Sequence, residues 1–530
     1  MRLRVGLIAL GMLSIATATV AQPAGQPPIG QPPIGQPPIG QPPAGQLSIA
    51  QPPADRPTAQ ALQTRLRTWF STLLGPTLPL PEPPLEVAAD GDQYALTLPL
   101  QDLTGRQSDR ITAALTMLGG NRWLLERILF PSAGAFSTPM PTASGLSDNA
   151  DITFTIGEQS SRILLDADLA SRSNWNAEYR DVEVRMEGGG EIQVQSFDRA
   201  TMLVTLVPGA DRRLDLQQEA TLAGMEASTQ SQDGSETNIE IRRVRQGFRL
   251  SGVNRDRLDQ AWDAIKSLIG AAKDAGTATG TPSGTDPLRP HVQALIRSLR
   301  DFADRMEGEE TFDDITVEVP GAGTVSLEQA RFGLGAEAPG GKLHAWMDVA
   351  LDGPSASELP PSLAKYMFTR LALRPAVSGV STERLFQLLL DSTQDGADSA
   401  KLEADAAALF TEGGASIGLD ALSIELADLR IEGSGRLRML APGQPGVEGR
   451  LSALGLESMM QQAGKDAELQ MVMPFLAIIR GLGRTEGDRM VWDLALTKDQ
   501  AMVNGVDVMR MFDQPAPPAA PPSRKRPDKR

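Results

Sequence analysis

Apolar and polar residues alternate along much of the chain, most clearly around three glycine pairs that read MEGGGEIQV, VPGAGTVSL and IEGSGRLRM. A period of two is typical of an antiparallel sheet with one face buried and the other in water. The second segment follows this pattern from Ile315 to Leu327, and the third from Leu429 to Met439. In the first segment the predicted inward positions are Val182, Val184, Met186, Gly188, Gly190, Ile192 and Val194, and the predicted outward positions are Glu183, Arg185, Glu191 and Gln193.

Two structures explain such a glycine pair. One is a tight hairpin whose turn needs the positive φ that glycine tolerates, and the other is one long strand that bends where its inner face lacks a side chain. We predict hairpins, because Asp90-Gly91 and Pro339-Gly340-Gly341 are further turn signals between alternating segments. The chain is therefore expected to form a repeated hairpin meander.

Other segments carry apolar residues at intervals of three and four, which predicts amphipathic helices. A one-sided sheet must cover its apolar face, and these helices are the available cover. The expected fold class is therefore α+β, with antiparallel β-meander sheets covered on one face by amphipathic helices, in two domains. The first predicted helix begins near residue 59. The other helices are predicted within 257–272, 292–306, 382–390, 398–410, 458–462 and 474–482.

Composition suggests where the domains begin and end. Residues 271–287 are rich in Gly, Thr and Ala and poor in large apolar residues, which is typical of an interdomain linker. We therefore predict a first β-rich domain over 59–270 and a second over 288–512. The QPPIG repeats within 22–58 predict an extended proline-rich linker, and the proline-rich, basic segment 513–530 is predicted to be disordered.

The first residues have the order of a secretory signal peptide, with two arginines, an apolar run and small residues that end at Ala21. We predict export and cleavage near Ala21. The alternative is a retained membrane anchor, but a helix over 5–20 would be about 24 Å long, shorter than the hydrocarbon core of ~30 Å. The mature chain is then expected to contact a membrane only if the signal is retained.

Overall composition excludes several kinds of chemistry. The chain contains no cysteine, so disulfides, thiolate metal sites and cysteine nucleophiles are excluded. Its formal net charge of −16 repels phosphate backbones, and nucleic acid is therefore not an expected partner.

The chain has two histidines, and neither lies in a catalytic motif. His291 follows Pro290 at the start of a predicted helix, and His344 shares the outward face of a predicted strand with Trp346 and Asp348. GASIG matches the G-x-S-x-G pattern of hydrolases with Ser416 as nucleophile. The residues after it alternate like a strand, however, and no histidine follows in the sequence to complete a triad.

Two acidic pairs, Glu309-Glu310 and Asp313-Asp314, are interpreted as solvated turns rather than as general acids or metal ligands. No phosphate-binding loop, dinucleotide fingerprint or EF-hand spacing occurs. We therefore assign no catalytic, cofactor-binding or metal-binding residue, expect no cofactor, and predict a protein that is not an enzyme.

The C-terminal segments DLRIEGSGRLRM, VEGRLSALGLESMMQQAG and RMVWDLALTKDQAMVNGVDVM combine strands, turns and a short helix. Over 415–511 this pattern resembles bacterial periplasmic proteins of the AsmA-like envelope type. The resemblance implies a β-rich periplasmic envelope protein that handles lipid on a sheet cradling apolar chains. Two functions follow as expectations: binding of lipid or another hydrophobic ligand, or an envelope scaffold or adaptor that binds proteins. A hydrolase is a distant third.

Overall fold

The chain folds around a single long antiparallel sheet of twenty-two strands. The structure is a computed structural model. It describes residues 54–74, 85–99, 109–119, 122–141, 147–166, 172–188, 191–231, 234–277, 287–321, 323–359, 364, 366–394, 396–411, 414–441, 444–465 and 473–512. The predicted signal peptide, nearly all of the proline-rich linker and the basic tail lie outside these residues.

The strands alternate with short turns, as the period-two pattern predicts. They are β1 (Glu86–Asp90), β2 (Gln93–Pro99), β3 (Arg110–Gly119), β4 (Arg122–Leu129), β5 (Ala133–Pro141), β6 (Ser147–Asp166), β7 (Ser173–Gly188), β8 (Glu191–Pro208), β9 (Arg213–Gln230), β10 (Glu236–Asn254), β11 (Arg305–Val319), β12 (Gly323–Glu337), β13 (Lys342–Asp352), β14 (Ser355–Ala356), β15 (Arg370–Ser381), β16 (Ser416–Glu425), β17 (Arg430–Ala441), β18 (Gln444–Leu454), β19 (Arg484–Glu486), β20 (Arg489–Leu496), β21 (Ala501–Val503) and β22 (Val506–Asp507).

Helices occur at the N-terminal edge of the sheet and in the longer connections between strands. They are α1 (Arg56–Leu74), α2 (Arg255–Thr277), α3 (Arg289–Leu299), α4 (Thr382–Ser392), α5 (Ser399–Thr411), α6 (Leu456–Ala463), α7 (Met473–Leu482) and α8 (Val508–Phe512), with a 3-10 turn at Pro339–Gly341. None of the helices in the described part of the chain is long and apolar enough to cross a membrane.

Every strand pair is antiparallel, and most consecutive strands are neighbours, so the predicted antiparallel meander is confirmed. The exceptions are local. β4 and β5 pair with different parts of β6. The short strand β14 joins β12, and β19 joins β20, so that β13 pairs with β15 and β18 pairs with β20.

The sheet continues across the predicted domain boundary. β10 pairs with β11 from Asn238 opposite Glu318 to Ser251 opposite Arg305. The first part of the predicted linker belongs to α2, and residues 278–286 lie outside the described chain. The division into two domains stays a prediction.

The glycine pairs serve two different purposes. The first two lie at hairpins, because Gly188 pairs with Glu191 and Val319 pairs with Gly323, and Gly323 has a φ of 79°. The hairpin predicted for the third pair is wrong, since Gly433 and Gly435 both lie inside β17. A Cβ on Gly433 would lie 2.3 Å from Leu451 Cδ2, so here glycine permits the close approach of β18.

The first hairpin also corrects the predicted facing of β8. Its turn contains two residues, so Met186 lies opposite Gln193, and Glu187 lies opposite Ile192. Directly opposed residues share a face, which places Gln193 with the buried Met186 and Ile192 with the exposed Glu187. The predicted outward position of Gln193 is therefore wrong.

The helix predicted over 292–306 is shorter than its pattern suggests. It ends at Leu299, after which Asp301 has a φ of 56° and the chain reverses. Asp304 N then donates a hydrogen bond to Ser251 O, which begins the ladder between β11 and β10. Pairing with β10 therefore takes Met306 out of the helix and into a strand.

On several neighbouring strands one residue is skipped in the pairing with the next strand. These residues form a line across the middle of the sheet, which we call the crease. On every second strand its residue has positive φ: Asp181 (51°), Gly224 (61°), Asp314 (51°) and Gly353 (58°). Such irregularities bend strands and shift their side-chain alternation by one residue. The crease consists of Gly157, Asp181, Asp198, Gly224, Arg242, Asp314, Glu328 and Gly353.

Candidate functional site

One face of the sheet carries an unbroken row of apolar residues that runs perpendicular to the strands. Each member lies directly opposite the next, from Tyr179 on β7 to Met490 on β20. At about 4.8 Å between neighbouring strands, the row extends for about 50 Å. Its members are Tyr179, Ala200, Leu222, Val244, Phe312, Ala330, Leu351, Leu371, Ile424, Ile431, Ala453 and Met490.

Parallel rows widen this surface, which we call the apolar face. On the other side of the crease the same face continues as Ile156, Val182, Phe197, Met225, Ile241, Ile315 and Leu327. Towards the other strand ends it includes Phe332, Val349, Leu373 and Leu422. Side chains on both sides of the crease share one face because the alternation shifts there.

Much of the apolar face remains open to solvent. Phe312, Phe332 and Leu351 are half-buried. A further row of this face leads from Ile417, which is 46% exposed, to Leu496, which is 48% exposed. Contiguous exposed apolar surface of this extent is uncommon in a soluble protein and marks an interaction site.

The opposite face is charged, and its residues pair across the strands. Arg243, Asp313, Gln329, Asp352, Arg370, Glu425 and Arg430 form one such row. Arg180 and Arg199 hold the pKa of Glu178 below its ordinary value, mainly through a hydrogen bond from Arg180. The sheet therefore has one face suited to water and one suited to apolar groups.

Helices cover the apolar face at its two ends and at one place between them, where Leu385 and Leu388 of α4 and Leu409 and Phe410 of α5 pack with Leu343, Val377 and Val380. At the N-terminal end, Leu62 and Leu66 of α1 pack with Tyr94 and Leu115, and Leu115 lies in a row that leads to Trp175 on β7. At the C-terminal end, Leu456 of α6 and Leu482 of α7 pack with Ile431, Leu451 and Trp492. The cover predicted for the whole face is thus found in three places, and the half-buried rows lie between them.

On β6–β8 the apolar face is closely packed. Tyr179 is 2% exposed and Phe197 is 3% exposed, and the apolar side chains packed against this cluster come from β6–β9 and from Phe130. Burial raises the pKa of Tyr179 to about 12.

Several polar atoms on the apolar face are buried without a hydrogen-bond partner: Trp175 Nε1, Tyr179 Oη and Gln218 Nε2. Glu310 also lies on this face, between Gln246 and Phe332. Desolvation raises the pKa of the Glu310 carboxyl above its ordinary value. Unpaired buried polar groups are costly, so these atoms indicate where a ligand would supply partners.

The residues predicted to share an outward face with His344 lie on the charged face. The His344 ring stacks on Trp346 with ring centroids 5.1 Å apart, and its Nδ1 lies 2.8 Å from Ser378 Oγ. Arg374 Cζ lies 5.8 Å from the Trp346 ring centroid, and Arg374 donates to Asp348 at 3.2 Å. These contacts stabilise neighbouring strands, and Ser378 is the partner that sequence analysis missed.

The other predicted candidates lie apart from one another. His291 lies in α3 and lines a cavity of about 400 Å³ between α2 and α3. Ser416 is the buried first residue of β16 rather than the tip of a strand-to-helix elbow. No group of three histidine, aspartate or glutamate side chains within the described ranges has the arrangement of a metal site.

The interpretation of the acidic pairs as turns is wrong, because all four residues lie in β11. Strand alternation places Glu309 on the charged face and Glu310 on the apolar face. Asp313 is buried and accepts hydrogen bonds from Arg245 Nη2 at 3.0 Å and from Gln329 Nε2 at 2.9 Å. Glu310 has the same strand parity as Gly308 and Phe312. This parity is the sequence signal that Glu310 lies on the apolar face.

No family model, curated protein or solved structure matches the chain.

Proposed function

We propose that this chain is a non-enzymatic protein of the bacterial periplasm that holds lipid, or another elongated hydrophobic ligand, on the apolar face. One observation carries the proposal: the apolar row continues without interruption from Tyr179 to Met490 and is half-buried along most of its length. Its span of about 50 Å exceeds the ~30 Å hydrocarbon core of a bilayer, and one acyl chain occupies about half of that core. The face therefore has room for more than one acyl chain.

The energetics favour an apolar ligand over water. Transfer of each methylene group from water to an apolar surface contributes about 0.8 kcal/mol. The charged face opposite, with pairs such as Arg374–Asp348, keeps the sheet compatible with water while the apolar face is occupied. A two-faced sheet that helices cover only in part is well suited to holding chains on the rest of its apolar face.

The proposal includes the fold class and the domain organisation of the chain. We regard the architecture as α+β, with two β-rich domains over 59–270 and 288–512 that contribute to one shared sheet. The order of charged, apolar and small residues up to Ala21 supports export to the periplasm.

The experiment is mass spectrometry of small molecules extracted from the full chain after purification from the periplasm without detergent. Lipid recovered in a fixed ratio to the protein is the expected result. A matched pair of variants locates the binding: Phe332→Glu on the apolar face should lose the lipid, and Arg331→Glu on the charged face should retain it. Absence of lipid from a folded parent protein would contradict the proposal.

A scaffold or adaptor function is the second candidate, and one surface favours it. On α7, Phe475 is 66% exposed, Ile478 is 47% exposed and Ile479 is 46% exposed. The helix is fixed to the body by Trp492 Nε1, which donates to Ile479 O at 2.8 Å, and by the pair of Arg480 with Glu457. Such a patch suits an apolar surface of another protein.

Crosslinking in the periplasm tests this second function. A protein partner captured by the parent and lost in Phe475→Ser would support it. The control is Ala477→Ser, at an exposed position of the same helix that offers little apolar area. Retention of the partner in Phe475→Ser would remove α7 as the docking surface.

A further inference from the structure

Three polar side chains interrupt the apolar face on adjacent strands. Gln218 lies on β9, Gln246 on β10 and Glu310 on β11. Gln246 and Glu310 are directly opposite each other, and Gln218 is diagonal to Gln246, because its direct partner on β10 is Phe248. Diagonal neighbours are roughly 7–8 Å apart, so the three residues form one polar island.

Apolar residues surround the island on every side. Along the strands, Leu216 and Ala220 flank Gln218, and Val244 and Phe248 flank Gln246. Across the strands, Val204 lies opposite Gln218, and Phe332 lies opposite Glu310. Three hydrogen-bonding groups in this setting cost stability unless something satisfies them.

The protein itself leaves the island unsatisfied. Gln218 is 4% exposed, and its Nε2 has no hydrogen-bond partner. Among the described residues no cation pairs with Glu310, whose pKa is raised by desolvation alone. Gln246 therefore lies between an amide donor on β9 that lacks an acceptor and a carboxyl on β11 that lacks a cation.

From this juxtaposition we infer that Gln218, Gln246 and Glu310 bind the headgroup of an amphiphile that carries a protonated amine beside acceptor oxygens. The amine pairs with the Glu310 carboxylate, and the oxygens accept hydrogen bonds from the Gln218 and Gln246 amides. The apolar chains lie along the row that includes Phe312 and Ala330. This inference rests on the proposed binding of lipid and adds a preference among headgroups.

The test is calorimetric titration of the full chain with three short-chain phospholipids of one acyl length, bearing ethanolamine, choline or glycerol headgroups. We expect the ethanolamine lipid to bind about five- to tenfold more tightly, which is the size of one charge-assisted hydrogen bond partly open to water. Glu310→Gln should abolish this preference and retain binding of all three lipids. Glu309→Gln, on the charged face, should leave the preference unchanged.

A second variant covers the case in which Glu310→Gln does not fold, as judged by circular dichroism. Gln218→Met keeps the side-chain length, removes the amide, and should weaken the binding of all three lipids by about threefold, because each carries the phosphate oxygens that accept from the amide. Three results would overturn the inference alone. They are equal affinities for the three headgroups in the parent, an unchanged preference in the folded Glu310→Gln variant, and unchanged affinities in the folded Gln218→Met variant. Absence of binding by all three lipids would overturn both the inference and the proposed function.

Discussion

Met186 lies directly opposite Gln193 across the hairpin of β7 and β8, and so the two side chains share the apolar face. The neighbouring pair, Glu187 and Ile192, shares the opposite face. Across a two-residue turn, even-numbered residues lie opposite odd-numbered ones. Across a three-residue turn, such as the one between Val319 and Gly323, residues of the same parity lie opposite each other. Turn length therefore decides which residues of β8 meet the core.

Lysine substitutions at Ile192 and Gln193 test this facing. Gln193→Lys places a charge beside Met186 and should lower the free energy of unfolding by about 1–2 kcal/mol. Ile192→Lys places the ammonium opposite Glu187 and should stay within about 0.5 kcal/mol of the parent. Urea unfolding of the two variants checks the prediction. The reverse order of costs would mean that the sequence pattern, with Ile192 inward, describes the sheet correctly.

The crease provides a second prediction. Gly224 has a φ of 61°, and a Cβ there would lie 2.0 Å from Asp198 Oδ2, so Gly224→Ala should cost about 1–3 kcal/mol. Gly247→Ala is the matched control in the next strand, because Gly247 lacks positive φ and a Cβ on it would have no atom within 4 Å. That control should be neutral or stabilising by about 0.5 kcal/mol. Thermal melting of both variants decides whether the crease requires its glycine.

The carboxyl of Glu310 makes stability depend on pH. Because its pKa is raised in the folded protein, the folded state holds the proton more tightly than the unfolded chain does. Stability from this group is therefore greatest at low pH and falls as pH rises from the ordinary glutamate value of about 4.3 through the folded pKa. In the ligand-free protein, Glu310→Gln should melt about 1–3 °C higher than the parent at neutral pH and no higher well below pH 4.

Glu309→Gln serves as the control for this pH series, since Glu309 is exposed on the charged face. The change in melting temperature caused by Glu309→Gln is subtracted from that caused by Glu310→Gln at each pH. A Glu310→Gln advantage that is equally large at low and neutral pH would contradict the titration account.

Ligand chain length supplies a fourth prediction. If acyl chains lie along the row through Phe332 and Leu351, affinity should rise with each added methylene group, by at most about fourfold per group. Titration with single-chain lipids of increasing length measures this slope. An affinity that does not depend on chain length would show that the apolar face takes no part in binding.

Much of the fold follows from alternation and turn chemistry, as two hairpins show. Gly91, with a φ of 66°, follows Asp90 in the turn that joins β1 to β2, and Asn504-Gly505, with φ values of 48° and 82°, joins β21 to β22. Glycine and asparagine adopt positive φ at low cost, and therefore such turns are visible in the sequence. The helices α2, α4 and α5 likewise follow from their apolar spacing.

Features that depend on neighbouring strands could not be predicted in the same way. Gly433 looks like a turn residue, but it is needed because Leu451 approaches from β18. Asp181 and Asp314 adopt positive φ inside strands, and an aspartate within a polar stretch gives no sign of this. The polar island around Glu310 depends on the register of β9, β10 and β11, which only the folded sheet defines.

Photo-crosslinking from two adjacent positions tests the central claim most directly. A benzophenone side chain at position 332 faces the apolar row, and the same group at position 331 faces the charged side of β12. Expression in the periplasm, irradiation and mass spectrometry of the intact chain should give an adduct of lipid mass at 332 and none at 331. Equal lipid adducts at both positions, or protein adducts alone at 332, would contradict the account of the apolar face as a lipid-binding surface.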